Sequence, residues 1–149
     1  MKIKMMLASV MAGLAVAVTV GQLPATAAPA WVETIASGTW YNEITNDCQD
    51  LTGAASGCFK ANGDHISVAD LAADGHSAAI VWQNFVNGAL YRRGACVEKR
   101  GEHAVGSCNM NFIEGSEFQF RACTYESGAS GTVADKIVRC GLSSPAIRA

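Results

Sequence analysis

Six cysteines, Cys48, Cys58, Cys96, Cys108, Cys123 and Cys140, stand singly through a 149-residue chain, and all lie beyond residue 47. In an oxidising compartment, an even set in so short a chain reads as a disulfide framework, which confines the fold to whatever brings the partners together. No C-x-x-C pair is present, so the spacing does not favour a thiolate zinc centre. Six cysteines allow about 15 full pairings. The pairing preferred from the sequence is sequential, Cys48–Cys58, Cys96–Cys108 and Cys123–Cys140, because each pair brackets a segment rich in turn residues. Loops this short would each restrict the unfolded chain by about 3 kcal/mol.

The compartment is read from the N-terminus. Lys2 and Lys4 precede an uncharged apolar run at residues 7–20, broken by Pro24. Ala25-Thr26-Ala27 then fits an A-x-A cleavage site, and Ala28-Pro29-Ala30 is a second fit. These are the parts of a secretory signal peptide. Residues 1–27 are expected to be removed, leaving residues 28–149 as a single secreted, extracellular domain of 122 residues, enough to bury a core. No cysteine near the cleavage region can carry a lipid, and no later segment has the length and apolarity of a membrane span. The mature part has 9 basic against 13 acidic side chains, a net charge of −4. That balance argues against nucleic acid and polybasic membrane binding.

The mature chain alternates short apolar runs with turn residues. Residues 39–44 form a candidate first strand. Residues 58–61 and 65–68 flank Asn62-Gly63-Asp64, and Asn-Gly between two such runs is a strong hairpin signal. Residues 77–85, rich in Ile, Val, Trp and Phe, suit a strand covered on both faces. Residues 89–99 and 105–114 read as a second hairpin around Arg100-Gly101-Glu102. In the latter run Cys108, Met110 and Phe112 alternate with Asn109 and Asn111. In residues 117–126, Phe118, Phe120 and Ala122 face one way, Gln119 and Arg121 the other. Residues 136–140 supply a last strand, and the tail from Ser143 is expected to be loosely held. Ser67-Val68-Ala69-Asp70 matches a capping box with Gly75 as a helix stop, but a strand to about Val68 followed by a loop is preferred. The fold class expected is all-β, an antiparallel β-sandwich of seven or eight short strands braced by disulfides.

The segment from Cys58 to Asp70, continuing through Ala73-Asp74-Gly75-His76-Ser77-Ala78, resembles small secreted disulfide-rich actinobacterial proteins of unknown function. Those often carry G-D-x-[apolar]-x-V-x-D-x-x-A-D-G. Glu114-Gly115 and Phe118-Gln119-Phe120-Arg121-Ala122-Cys123, with the late Cys140, resemble their second half. The resemblance implies a compact, disulfide-bonded β-sandwich and brings no catalytic residues with it.

Asp64, Asp70 and Asp74 are candidate metal ligands, since carboxylates close together on a loop suit calcium. The alternative is that Asp64 and Asp70 make turn and cap hydrogen bonds to the backbone. Asp70-x-x-x-Asp74-Gly75 departs from a helix–loop–helix calcium loop, with Ala72 at the third position and Val81 at the twelfth. His65, His76 and His103 match no helical zinc pair. No G-x-S-x-G elbow is present, every cysteine is better used in a disulfide, and no pair among Glu98, Glu102, Glu114 and Glu117 is singled out. Catalytic residues are therefore expected to be none. Trp31, Trp40, Tyr41 and Tyr91 are candidate ligand-binding aromatics, while Trp82, sharing a strand face with Ala78 and Ile80, is expected in the core. Arg92, Arg93, Lys99 and Arg100 are expected at a basic hairpin tip.

The reading is of a monomeric, cofactor-free, non-catalytic extracellular module that binds a protein or a polysaccharide. Its rivals are a calcium-dependent secreted domain and a small secreted hydrolase or toxin.

Overall fold

The computed structural model describes residues 27–38 and 47–149. The expected signal peptide up to Thr26 and the candidate first strand at 39–44, with Trp40 and Tyr41, lie outside the described residues.

Turn chemistry sets the local hairpins. Strands β3 (Ala55–Lys60) and β4 (His65–Asp70) meet across a turn in which Gly63 and Asp64 both take positive φ, 89° and 52°. Strands β5 (Ser77–Val86) and β6 (Ala89–Glu98) reverse on Asn87 and Gly88, again both positive, at 51° and 75°, the two-residue reversal that suits the twist of paired strands. The other described elements are β1 (Trp31–Ile35), β2 (Cys48–Leu51), β7 (Val105–Asn109), β8 (Glu117–Tyr125), the one-turn helix α1 (Val133–Lys136), β9 (Ile137–Cys140) and β10 (Ile147–Arg148).

The strands form two sheets. The larger runs β1-β6-β5-β8-β10, with β9 also pairing β8, and the smaller runs β2-β3-β4-β7. Their inner faces enclose the main core. Phe59, Ile66 and Val68 come from the smaller sheet, and Ile80, Trp82, Phe118, Phe120 and Ala122 from the larger. Trp82 is 2% exposed, and Gly94 leaves room for its indole. At Gly57 a Cβ would collide with the Ile80 side chain, so glycine lets the sheets close. A second apolar cluster lies on the outer face of the larger sheet, where Ala79, Val81, Ala95, Val97, Cys123 and Tyr125 are covered by Val133 of α1 and by Ile137. The molecule is all-β and sandwich-like, with the pairs Cys48–Cys58, Cys96–Cys108 and Cys123–Cys140.

Several expectations are corrected. Residues 89–99 and 105–114 are not a hairpin. β6 has both edges occupied, by β1 and β5, so the chain crosses to the other sheet and β7 pairs β4. The Cys96–Cys108 bond consequently ties the two sheets together, whereas Cys48–Cys58 and Cys123–Cys140 join directly opposed residues of neighbouring strands. The tail from Ser143 is held: Ser144 is buried and donates its backbone N–H to Phe120 O at 2.8 Å, and β10 pairs β8. The strand reading at 65–70 extends to Asp70, leaving no helix there. Trp31 opens β1, which runs parallel to β6, the one departure from antiparallel pairing among these strands.

Candidate binding face

The outer face of the larger sheet changes character along its strands. Near α1 it is apolar and covered. Two residues beyond Val81 it becomes polar and open, because side chains on one face recur every second position. Register places Trp31 of β1 opposite Arg93 of β6, Arg93 opposite Gln83 of β5, and Gln83 opposite Gln119 of β8. Four neighbouring strands thus contribute one row of side chains. Arg121, opposite Val81 in the next row, is exposed on the same face. Trp31, Val81, Gln83, Gln119, Arg121 and Ser143 line a cavity of about 250 Å³ over this row.

The row is partly pre-ordered. The Arg93 guanidinium lies 4.6 Å from the Trp31 ring centroid, a cation–π distance, and its Nε donates to Pro29 O at 2.8 Å. Its terminal N–H groups, and the side-chain amides of Gln83 and Gln119, make no hydrogen bond among the described residues. Glu33, in the next row of β1, is committed elsewhere: it accepts from Lys99 Nζ at 3.0 Å, Lys136 Nζ at 2.7 Å and Tyr125 Oη at 2.7 Å. Burial alone would raise its carboxyl, but the bonds from Lys136, Tyr125 and Lys99 outweigh that and lower it to about 2. The same burial, with the Glu33 bond, pushes the Tyr125 hydroxyl upward.

No protein-family model, curated protein or solved structure matches this chain. The site is therefore argued from its own residues.

Of the aromatics singled out from the sequence, Trp31 stands in the row. Tyr91 is 50% exposed on β6, two residues before Arg93. Trp40 and Tyr41 lie outside the described residues. The basic tip does not form. Arg92 donates to Met110 O and Asn111 O, Arg93 stacks on Trp31, Lys99 pairs Glu33, and Arg100 holds the fully buried Glu98 through both carboxylate oxygens, at 2.9 and 2.6 Å. Burial works to raise Glu98, yet its bonds from Arg100 leave it lowered.

The three aspartates are not brought together; among the described residues no group of three or more His, Cys, Asp or Glu side chains can hold a metal ion. Asp64 Oδ2 accepts from Phe112 N at 2.8 Å, and Asp74 Oδ1 from His76 N at 2.9 Å. Asp70, 2% exposed, accepts from Ala72 N through Oδ1 while Oδ2 has no partner among the described residues. Burial, foremost, raises its carboxyl, with Asp74, Glu98 and Glu102 adding to the effect. The turn and cap reading describes Asp70, and Asp74 makes the same local bond, whereas Asp64 holds the distant Phe112 N–H instead of its own turn.

A second recess, about 480 Å³, lies between the β4–β5 loop and the start of the β6–β7 crossing, with His76, Ser77, Glu102 and Ser127 in its lining. His76 Nδ1 lies 2.5 Å from Glu126 Oε1, and Ser77 Oγ donates to Ser127 Oγ at 2.9 Å. The serines bond each other instead of the imidazole, so no nucleophile–base pair is assembled there among the described residues.

Gln83, Arg93 and Gln119 were not singled out as a site by the sequence. The alternation that turns Gln119 and Arg121 away from Phe118 and Phe120 was the available signal, but which strands flank β8 is not encoded locally.

Proposed function

We propose that this chain is an exported, disulfide-braced, non-catalytic module that holds a surface polymer against the open outer face of its larger sheet. The observation that carries the reading is the row Trp31–Arg93–Gln83–Gln119, which presents one aromatic ring, one oriented guanidinium and two amides without a hydrogen bond among the described residues, beside a cavity that Trp31, Gln83 and Gln119 line. Concave sites that combine apolar surface with a few convergent polar groups are the usual form of a ligand site. Three disulfides in a small chain support an oxidising destination. Export by the leader and a monomeric state belong to the same proposal.

Co-sedimentation with insoluble cell-wall, cellulose, chitin and pectin preparations tests it. Retention on one polymer is expected, with most of it lost in Gln83→Ala and Trp31→Ala proteins that still melt cooperatively. Retention that ignores both substitutions would remove the face from the account.

A hydrolase has one observation in its favour, the short His76–Glu126 pair beside a recess. A carboxylate on Nδ1 orients an imidazole for base chemistry at Nε2. Hydrolysis of any polymer in the same panel, abolished by His76→Ala, would establish that reading in place of the first.

A further inference from the structure

We infer that the occupant of this face is a uronate-bearing glycan. The inference rests on the binding-face reading and adds the chemistry of the ligand.

Charge is the first argument. The expected mature chain is net negative, yet this face carries two guanidiniums, Arg93 and Arg121, and neither is paired with a carboxylate among the described residues. The acid of the adjoining row, Glu33, is already held by two lysines and Tyr125. Glu117, two residues before Gln119, lies opposite Arg148 in register and outside the cavity lining. The cavity lining itself holds Arg121 and no carboxylate, with Arg93 beside it in the row, so the site attracts an anion. The planar fork of a guanidinium matches a carboxylate in particular. Arg93 is oriented for that task, since Pro29 O takes its Nε and Trp31 supports its plane, leaving the terminal N–H groups free.

The remaining groups select among anions. Gln83 and Gln119 each offer a donor and an acceptor, which suits hydroxyls that do both. Ser143 adds another at the rim. The row crosses three strand spacings, about 14 Å, so the surface is long and shallow, shaped for an extended chain of rings. An acidic peptide would more naturally add to a sheet edge through its backbone. Three of the row's four strands, β5, β6 and β8, have a partner on both sides and offer side chains only; the edge strand β1 is the one of the four at which a peptide could add.

Titration calorimetry with trigalacturonate, cellotriose and hexaglutamate tests the assignment on the oxidised mature protein. Trigalacturonate is expected to bind at least about tenfold more tightly than cellotriose, the effect of one charge-assisted contact, and hexaglutamate is expected not to bind. Raising salt to about 1 M should weaken the trigalacturonate complex, because these exposed charges are then screened. Arg121→Gln, an exposed substitution that should leave the melting temperature unchanged, should cost trigalacturonate roughly tenfold and remove its advantage over cellotriose. Equal affinity for the neutral and acidic trisaccharides, or equal binding of hexaglutamate, would overturn the uronate assignment. Absence of trigalacturonate binding would do the same. Polymer retention that still depends on Gln83 would then leave the binding face standing, and retention indifferent to Gln83 would take both down.

Discussion

Glu33 and Asp70 are two partly or wholly buried carboxylates with opposite consequences for stability. Glu33 receives three hydrogen bonds and has its carboxyl lowered to about 2 from an ordinary 4.5. A lowered folded-state value stabilises the protein above the unfolded value and is lost on acidification. The contribution, at most about 3 kcal/mol, should therefore be present above about pH 4.5 and fade between there and about pH 2. Glu33→Gln is expected to lower urea-unfolding stability at pH 7 and to converge with the wild type near pH 2. A constant gap across that range would mean that the three bonds do not control Glu33 ionisation. Asp70 runs the other way: buried, with one oxygen unpartnered among the described residues, its carboxyl is raised, so its charged form opposes folding at neutral pH. Asp70→Asn removes the charge, so its stability relative to the wild type should rise as pH increases through the raised value and fall back as pH drops below it. A difference between the two proteins that does not change with pH would mean that burial does not control Asp70 ionisation.

At the level of elements, the three disulfides are unlike one another. Cys96 and Cys108 are buried and bridge the two sheets. Cys48 is exposed on β2, at the edge of the smaller sheet. Access governs attack by an external thiol, so limiting reductant should open Cys48–Cys58 first and Cys96–Cys108 last, an order that mass spectrometry of alkylated protein reads directly. Early labelling of Cys96 would show that the sheets separate before the edge frays. The sequential pairing was legible from spacing, and so was the β3–β4 hairpin at Asn62-Gly63. What spacing could not say is that Cys96–Cys108 joins sheets instead of hairpin partners. That depends on β1, sixty residues earlier, taking the free edge of β6. Asn87-Gly88 carried the same turn chemistry as Asn62-Gly63, and the β5–β6 hairpin it forms could have been read from it. Trp31, by contrast, gives no local hint of a parallel edge strand, because that pairing is specified across the whole fold.

For the whole molecule, the candidate face joins maturation to function. Pro29 O holds Arg93 Nε, so the segment before β1 helps to orient the site. Of the two cleavage patterns, removal after Ala27 keeps Pro29 and removal after Ala30 discards it. An intact mass beginning at Ala28 is the expected result for protein recovered from culture fluid, and a mass beginning at Trp31 would leave Arg93 without that support. Composition argued against nucleic acid as an expected partner, and alternation along 117–126 turned Gln119 and Arg121 outward. The site itself emerged only with the register of four strands. The most direct test of that register's functional meaning is amide chemical-shift mapping by NMR, as fragments of a retained polymer are titrated into labelled protein. Perturbations are expected to group at Trp31, Gln83, Arg93, Gln119 and Arg121, with the recess around His76 and Ser127 unchanged. Shifts centred on His76, Ser77 and Ser127, with the sheet face silent, would contradict it.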